Sequence, residues 1–560
     1  MRNKINIVDT IGLGLGLTLF IFGILKLSFI LDSESFFVVN EFLDIPDYTS
    51  EGEKVSSGYD MSIHQLHVLL GYKSMEGLFF HHHMYLINSA YALIKGVENI
   101  NHLYGMGTSY FVKYFSEFFY GSLSFQSYFK TLGYLNILFY INLAICYLSI
   151  IKNRLLFLYF SISILILLFS LGFWQYYLTP TITPFRQVFF PLLVMFYFRY
   201  CQSSNNKNFV FLTIAGLASA FFSLEFTGFF IFSIWLTQII EKIKYKKIDY
   251  KIIISTIPTL IFIFLFTFVF ASDGESFYEF GIFLGPRLDL DSLFVIAIFG
   301  CFILFAIDLF EDQIKERKFI TGLCFFSFLS FFYYLWQPVY NHLVPLMWVW
   351  GLIFFFCFNK IIMIKKIELG YEVISFGIVL GIIFLLTVYK FENNTKINYE
   401  TISKRAKVFE WDLPNAQIKS SINPIFIENS CNLFNKYSID GKVNLISLHD
   451  SYLPFVCDYE NTNKYPQLGV QFVHRKNEIR QKEQFEQLKP KYIYVDNILY
   501  GNSENIGLSL DYYSKISENF YYKVMYVYNL KEFAGEIIEN DYILQEKGKL
   551  ISVFKRVSSP

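Results

Sequence analysis

Six of the nine histidines lie in one stretch between residues 64 and 102, with Asp60 just before it and Glu76 within it. Asp60 precedes His64 and His67, which stand one and two turns on if the segment is helical; neighbours of switchable charge then tune its proton affinity. The same Asp60 also suits the N-cap of a helix beginning at Met61 or Ser62. His81, His82 and His83 invite a metal reading, but consecutive residues point about 100° apart in a helix and alternate in a strand. At most two would ligate one ion, with Asp60 or Glu76 completing the site. Hydrogen bonding to a polar ligand and polar packing at a helix interface are the other roles open to these histidines, as they are to His102 and Tyr104. Three more candidates lie outside this stretch. Arg186 follows Thr181–Phe185 at the end of an apolar run, where its planar fork can hold a phosphate or reach for headgroups. Arg287 in the run Leu284–Leu288 is of the same kind, and His342 can contact a phosphate or cap its helix.

The surrounding chain is built to put such groups at a membrane surface. Its 560 residues are 54% hydrophobic and only 17% charged, and mean hydropathy is +0.39. Apolar runs recur near 7–31, 131–151, 155–175, 185–199, 209–224, 226–240, 252–271, 292–310, 319–336, 343–358 and 371–389, which predicts about eleven transmembrane helices. Equal numbers of basic and acidic residues, 47 of each, offer no electrostatic reason to expect nucleic acid. Five connectors are basic: 152–154, 199–207, 241–251, 311–318 and 359–366. The segments 176–184, 272–291 and 337–342 carry almost no positive charge. The positive-inside rule therefore places the N-terminus in the cytoplasm and the C-terminus outside the cell (plasma or inner) membrane.

Residues 209–240 test that orientation. A single long helix would reverse every later loop, so two short spans are expected, with Glu225 at their junction. An acid near membrane depth is a functional candidate by default; the alternative is a turn residue at the outer interface. The first loop, 32–130, is rich in aromatic and aliphatic residues, and 64–70, 84–94 and 110–119 have helical apolar spacing. Such helices would lie in the interface plane with their apolar faces toward lipid. From about Lys390 the apolar runs cease. Val443–Ser447, Lys491–Val495 and Leu550–Phe554 look like buried strands, and 475–488 like a polar helix. The fold class expected is thus an α-helical polytopic membrane protein, 1–389, with a C-terminal extracytoplasmic α/β domain, 390–560. Cys431 and Cys457 both fall in that domain, and an oxidising compartment would let them pair.

A long extracytoplasmic loop directly after the first helix, a bundle of about eleven spans and an extracytoplasmic α/β tail resemble the GT-C superfamily of polyprenyl-phosphate-sugar-dependent glycosyltransferases. Asp60, His64, Gly77, the histidine run and Leu103–Gly105 look like the first-loop landmarks of family-39-like bacterial members. Tyr340–Pro345 and Lys489–Asp496 look like such proteins too. The resemblance implies a polyprenyl-phosphate-linked sugar donor in the outer leaflet, an extracytoplasmic glycan, lipid or protein acceptor, and inversion at the anomeric carbon. It calls for a carboxylate to deprotonate or orient the acceptor and for cationic or hydrogen-bonding groups at the departing phosphate. Asp60 is the first choice as base, and Asp32 and Glu34, just after the first span, compete with it. His64, His67, Glu76, His81, His82, His83, His102, Tyr104, Arg186, Glu225, Arg287 and His342 are the candidate substrate-binding residues. Superfamily members differ in metal dependence, so no cofactor is required and a divalent metal (Mg or Mn) stays an option. The alternative functions are a polysaccharide polymerase or ligase and a flippase for lipid-linked glycans. A flippase predicts inverted repeats and ionisable residues within several spans, which the chain lacks. A polymerase predicts a large loop late in the chain, whereas here it follows the first span.

Overall fold

The computed structural model describes residues 7–31, 75–96, 106–151, 153–164, 184–267, 290–336, 344–365, 378–379, 382, 409–420, 424–447, 452–463, 475–497, 499 and 521–557. The chain divides into two compact units: 1–32, 104–108 and 130–394 form the first, and 33–103, 109–129 and 395–560 form the second.

The first unit is helical. Helix α1 (Ile7–Leu31) lies close to a short apolar helix, Leu155–Ile164, through its glycines. A Cβ at Gly16 would stand 2.9 Å from the Leu158 Cα, and Val8 shares a core with Leu155, Leu158 and Ile162. Among the described residues, four helices are long and apolar enough to cross a membrane: Ile7–Leu25, Phe125–Ile150, Leu224–Tyr245 and Leu346–Ile364. With shorter apolar helices beside them, this makes the chain an integral membrane protein. The span expected at 371–389 falls almost wholly outside the described residues. The run expected to divide near Glu225 forms two helices, Asn206–Phe222 and Leu224–Tyr245. They meet at Ser223, which is extended (φ −150°, ψ 106°) and so ends one helix while opening the next. Several helix ends overrun the connectors read as basic: Leu224–Tyr245 enters 241–251, Ile314–Trp336 begins inside 311–318, and the last described apolar helix runs on to Lys365, through 359–366. Asn359 and Lys360 are buried there, and the Lys360 ammonium lies 5.7 Å from the centre of the Phe310 ring, so packing sustains the helix past its apolar run.

In the second unit an antiparallel pair, β1 (Phe409–Glu410) and β2 (Lys419–Ser420), precedes two parallel ladders that meet along residues 442–446. There β3 (Lys442–Val443) runs parallel to β5 (Glu460–Asn461), and β4 (Leu445–Ile446) runs parallel to β6 (Tyr492–Asp496). Successive carbonyls of a strand point to opposite edges: Gly441 and Val443 accept from Glu460 and Thr462, while Asn444 accepts from Tyr494. Strand 442–446 therefore has a parallel neighbour on each side. Beyond β6 the sheet continues antiparallel through β8 (Ile551–Arg556) and β7 (Tyr542–Lys547). Ile446, Ile493, Val495, Phe485, Leu530 and Phe533 close a core with it.

Two pieces of the first loop belong to this unit. Helix α2 (Met75–Ile94) contains the segment 84–94 that was expected to lie apolar face down on the membrane, but Met84, Leu86, Ile87, Ala90 and Tyr91 are all buried, and so are His83, Asn88 and Ser89. Polar and apolar side chains alike are buried between residues 83 and 91 among the described residues, as in a core helix. The Tyr91 ring meets Phe455 at 5.2 Å. The Tyr91 hydroxyl donates to Asp458 Oδ1 at 2.9 Å, Lys95 Nζ donates to the same oxygen at 2.9 Å, and Asn415 Nδ2 donates at 3.3 Å. Cys457, next to Asp458, is disulfide-bonded to Cys431 with Cα atoms 5.3 Å apart, so the turn bearing Asp458 is tied covalently to the helix Pro424–Tyr437.

Burial alone would raise the Asp458 carboxyl, but the hydrogen bonds from Lys95 and Tyr91 and the Lys95 charge outweigh it and hold it below its ordinary 3.8. The clasp is therefore fully formed above that value and is lost as the pH falls below it. Asp458 is half-exposed, so solvent screening keeps the contribution to about 1 kcal/mol. Asp458→Ala should lower unfolding stability by that amount at neutral pH, with the gap to wild type closing as the pH falls below 3.8. Thermal unfolding of the full chain in nanodiscs across pH measures this, and a gap that does not change with pH contradicts it.

Candidate functional site

Two of the candidates flagged in the sequence come together in the first unit. Arg186 lies in a 3₁₀ turn, Pro184–Gln187, just before the helix Phe190–Gln202, in which Pro191 occupies the first turn. Proline there loses no helical hydrogen bond and presets the backbone. Four contacts hold the turn and the residues that follow it. The Trp348 indole N–H donates to Gln187 Oε1 at 2.7 Å, Asn142 Nδ2 donates to the Val188 carbonyl at 2.8 Å, and the Phe190 ring meets Trp348 at 5.7 Å and Phe326 at 4.9 Å. Held this way, the Arg186 guanidinium forms an ion pair with Glu225 and lies 5.5 Å from the centre of the Phe226 ring.

Glu225 owes its place to the helix break. It sits in the first turn of Leu224–Tyr245, where the exposed backbone N–H groups and the helix dipole favour a negative charge. The Ser223 hydroxyl donates to Glu225 Oε2 at 3.4 Å, and Ser219 and Thr227 bridge the break hydroxyl to hydroxyl at 2.8 Å. The arginine side chain is 2% exposed and the glutamate 11%. A residue of the first loop closes on this break. Gly107 packs on Phe222, and a Cβ at that position would stand 2.6 Å from its ring; Phe222 in turn meets Phe189 at 5.4 Å.

A second buried pair shows what a purely structural arrangement looks like. Arg317 donates to both carboxylate oxygens of Glu241, at 3.1 and 3.3 Å, and to the Glu311 carbonyl at 2.5 Å. Its guanidinium lies 3.7 Å from the centre of the Tyr245 ring. This pair staples two continuous helices; Arg186 and Glu225 instead sit on a turn and at a helix break.

In the second unit His83 is wholly buried. Its Nδ1 is 2.9 Å from the Tyr128 hydroxyl, and its ring stacks edge-on against Phe129 at 5.1 Å. That environment is polar packing, one of the roles expected for it. Glu76, His81 and His82 lie on the same helix α2, and their side chains are outside the described residues. Asp32, Glu34, Asp60, His64, His67, His102, Tyr104, Arg287 and His342 are likewise outside the described residues. Among the described residues no three His, Cys, Asp or Glu side chains gather as a metal cluster. Arg186 and Glu225 are each legible in the sequence, but their pairing is not; Gln187, Trp348, Asn142 and Gly107 carry no local signature, because their roles come from tertiary contacts.

Removing one partner of a buried ion pair strands the other charge, at a cost of about 3–5 kcal/mol. Arg186→Met and Glu225→Leu should each destabilise the full chain in nanodiscs by about that much, and the double variant by clearly less than the sum. Additive losses would show that the two side chains are not coupled.

No protein-family model and no curated protein matches the chain. Among solved structures the chain is similar to "ArnT from Cupriavidus metallidurans bound to Undecaprenyl phosphate", at 8% identity and a TM-score of 0.45, over 97% of this chain and 98% of that one.

Proposed function

We propose that the chain is a multispan glycosyltransferase of the GT-C kind, moving a sugar with inversion from a polyprenyl phosphate in the outer leaflet to an extracytoplasmic glycan, lipid or protein acceptor. The observation that carries this reading is the buried Arg186–Glu225 pair at the break between two apolar helices. A guanidinium is a planar fork of donors matched to two phosphate oxygens. Buried without a partner it would be costly, so a carboxylate that occupies it until phosphate arrives keeps the empty site stable. On binding, phosphate takes the place of Glu225 as the partner of Arg186 and the glutamate is released toward the helix N-terminus. The negative charge that develops on the phosphate as the sugar leaves is then met by a donor already in position.

Asp60 is assigned as the base that accepts the acceptor proton, with Asp32 and Glu34 as competitors. The bond broken joins the anomeric carbon to a phosphate oxygen, and the bond formed joins that carbon to the acceptor. The helix Met106–Tyr120 supports a loop bordering the bilayer: Tyr114, Phe118, Phe119 and Tyr120 are exposed, Phe118 at 81%, and they precede the apolar helix Phe125–Ile150 by a few residues. Exposed aromatic rings beside a span suit the membrane–water interface.

Mass spectrometry of lipid-linked sugars and surface glycans tests the reading in cells that carry wild-type protein, none, Arg186→Lys, Asp60→Asn or Asp32→Asn. Deletion should deplete a surface glycan and accumulate a lipid-linked sugar. Arg186→Lys, which keeps the charge and loses the fork, should cut transfer by at least about tenfold. Loss of transfer in Asp32→Asn with full activity in Asp60→Asn would move the base to the start of the loop. Unchanged glycans and lipid-linked pools on deletion would end the transferase reading.

A further inference from the structure

We infer that the second unit carries its own binding site for a neutral sugar, at the carboxyl ends of its parallel strands. In open α/β sheets the crevice beyond those ends is where ligands bind, because strand ends and following loops converge there with unspent hydrogen-bonding groups. Here three parallel strands, β5, β3–β4 and β6, end on the same side. Asn461 and Asn463 lie at the end of β5, Ser447 follows β4, and Asp496 and Asn497 close β6.

These side chains form separate hydrogen-bonded groups along that edge. The Ser447 hydroxyl donates to Asp496 Oδ2 at 3.1 Å, and both residues are buried. Asn497 Oδ1 accepts from the Ser552 hydroxyl at 2.6 Å, and its Nδ2 donates to the Gly548 carbonyl at 2.9 Å. At the other end, Asn461 Oδ1 accepts from the Leu445 and Asn463 N–H groups, and Asn463 Nδ2 donates to the Leu445 carbonyl. What is left over points to a ligand. Asn461 Nδ2 and Asn463 Oδ1 are buried with no hydrogen-bond partner, and so is Oε1 of the wholly buried Gln481. Gln481 joins the same network through Gln484, which donates to the Thr462 carbonyl at 2.8 Å. Buried amide atoms that go unpaired cost stability, and natural proteins keep few of them without a use.

The chemistry of the edge selects the ligand class. A sugar hydroxyl both donates and accepts, and so do a carboxamide and a serine; a carboxylate accepts from two neighbouring hydroxyls at once. Asp496 is the single charged side chain among those named, and it would repel a phosphate or carboxylate ligand. A neutral mono- or oligosaccharide fits. This inference stands apart from the role given to Arg186.

Saturation-transfer NMR on the full chain in nanodiscs tests it, with methyl α-mannoside, methyl β-glucoside and N-acetylglucosamine as probes and inorganic phosphate as competitor. At least one sugar should receive saturation, with a dissociation constant on the order of 1 mM. Its fully O-methylated analogue should not bind, and phosphate should not compete. Asp496→Asn should weaken binding at least about tenfold, with its unfolding temperature read alongside, while Arg186→Ala should leave binding intact. No saturation of any sugar at about 10 mM, binding of the O-methylated analogue, displacement by phosphate, or equal binding in a folded Asp496→Asn protein would each overturn the inference. Transfer that fails in cells while sugar still binds would remove the transferase reading and leave this site standing.

Discussion

An apolar helical bundle keeps a buried guanidinium at least cost when it supplies the opposite charge beside it. That constraint explains the arrangement around Arg186. Its guanidinium is buried because Glu225 is there, and Glu225 is there because the chain breaks at Ser223 and presents a helix N-terminus to it. The break is in turn held by the Ser219–Thr227 bridge and by Phe222, against which only a glycine at 107 fits. Removing either charge alone would break the pair in a medium that offers little water.

The second unit follows a related rule with different materials. Among the described side chains of helix α2, polar residues are buried beside apolar ones and find partners in this unit: His83 meets Tyr128, and Tyr91 and, just past the helix, Lys95 meet Asp458. A covalent tie, Cys431–Cys457, fixes the turn on which that last contact depends. The loop segment and the C-terminal segment, far apart in sequence, are thereby parts of one compact unit.

Legibility in the sequence tracked the range of the interaction involved. Strand 442–446, strand 492–496 and helix 475–488 were visible because alternation and helical spacing are local properties. The division at Ser223 was legible for a less local reason, the placement of lysines after Ile240. The burial of α2 was not legible, since its apolar spacing fits a membrane surface as well as a protein core, and only the chain that covers it decides. The contacts that hold the turn bearing Arg186 are hidden for the same reason: Gln187, Asn142 and Trp348 carry no motif, and their contacts link positions up to 161 residues apart. Pairing of the two cysteines was left open, because separation along the chain does not report separation in space. The short strand β5 and the polar β7 went unread, being too brief or too hydrophilic to stand out.

Two substitutions in one ion pair separate a phosphate site from a structural staple. The direct measurement is the rise in unfolding temperature that a polyprenyl phosphate gives the full chain in nanodiscs, for wild type, Glu225→Gln and Arg186→Gln. If phosphate exchanges with Glu225 for the guanidinium, removing the competitor should enlarge the lipid-induced rise above that of wild type, and removing the fork should abolish it. Equal rises in all three proteins, or equal losses in both variants, would contradict the exchange and leave Arg186 and Glu225 as structure alone.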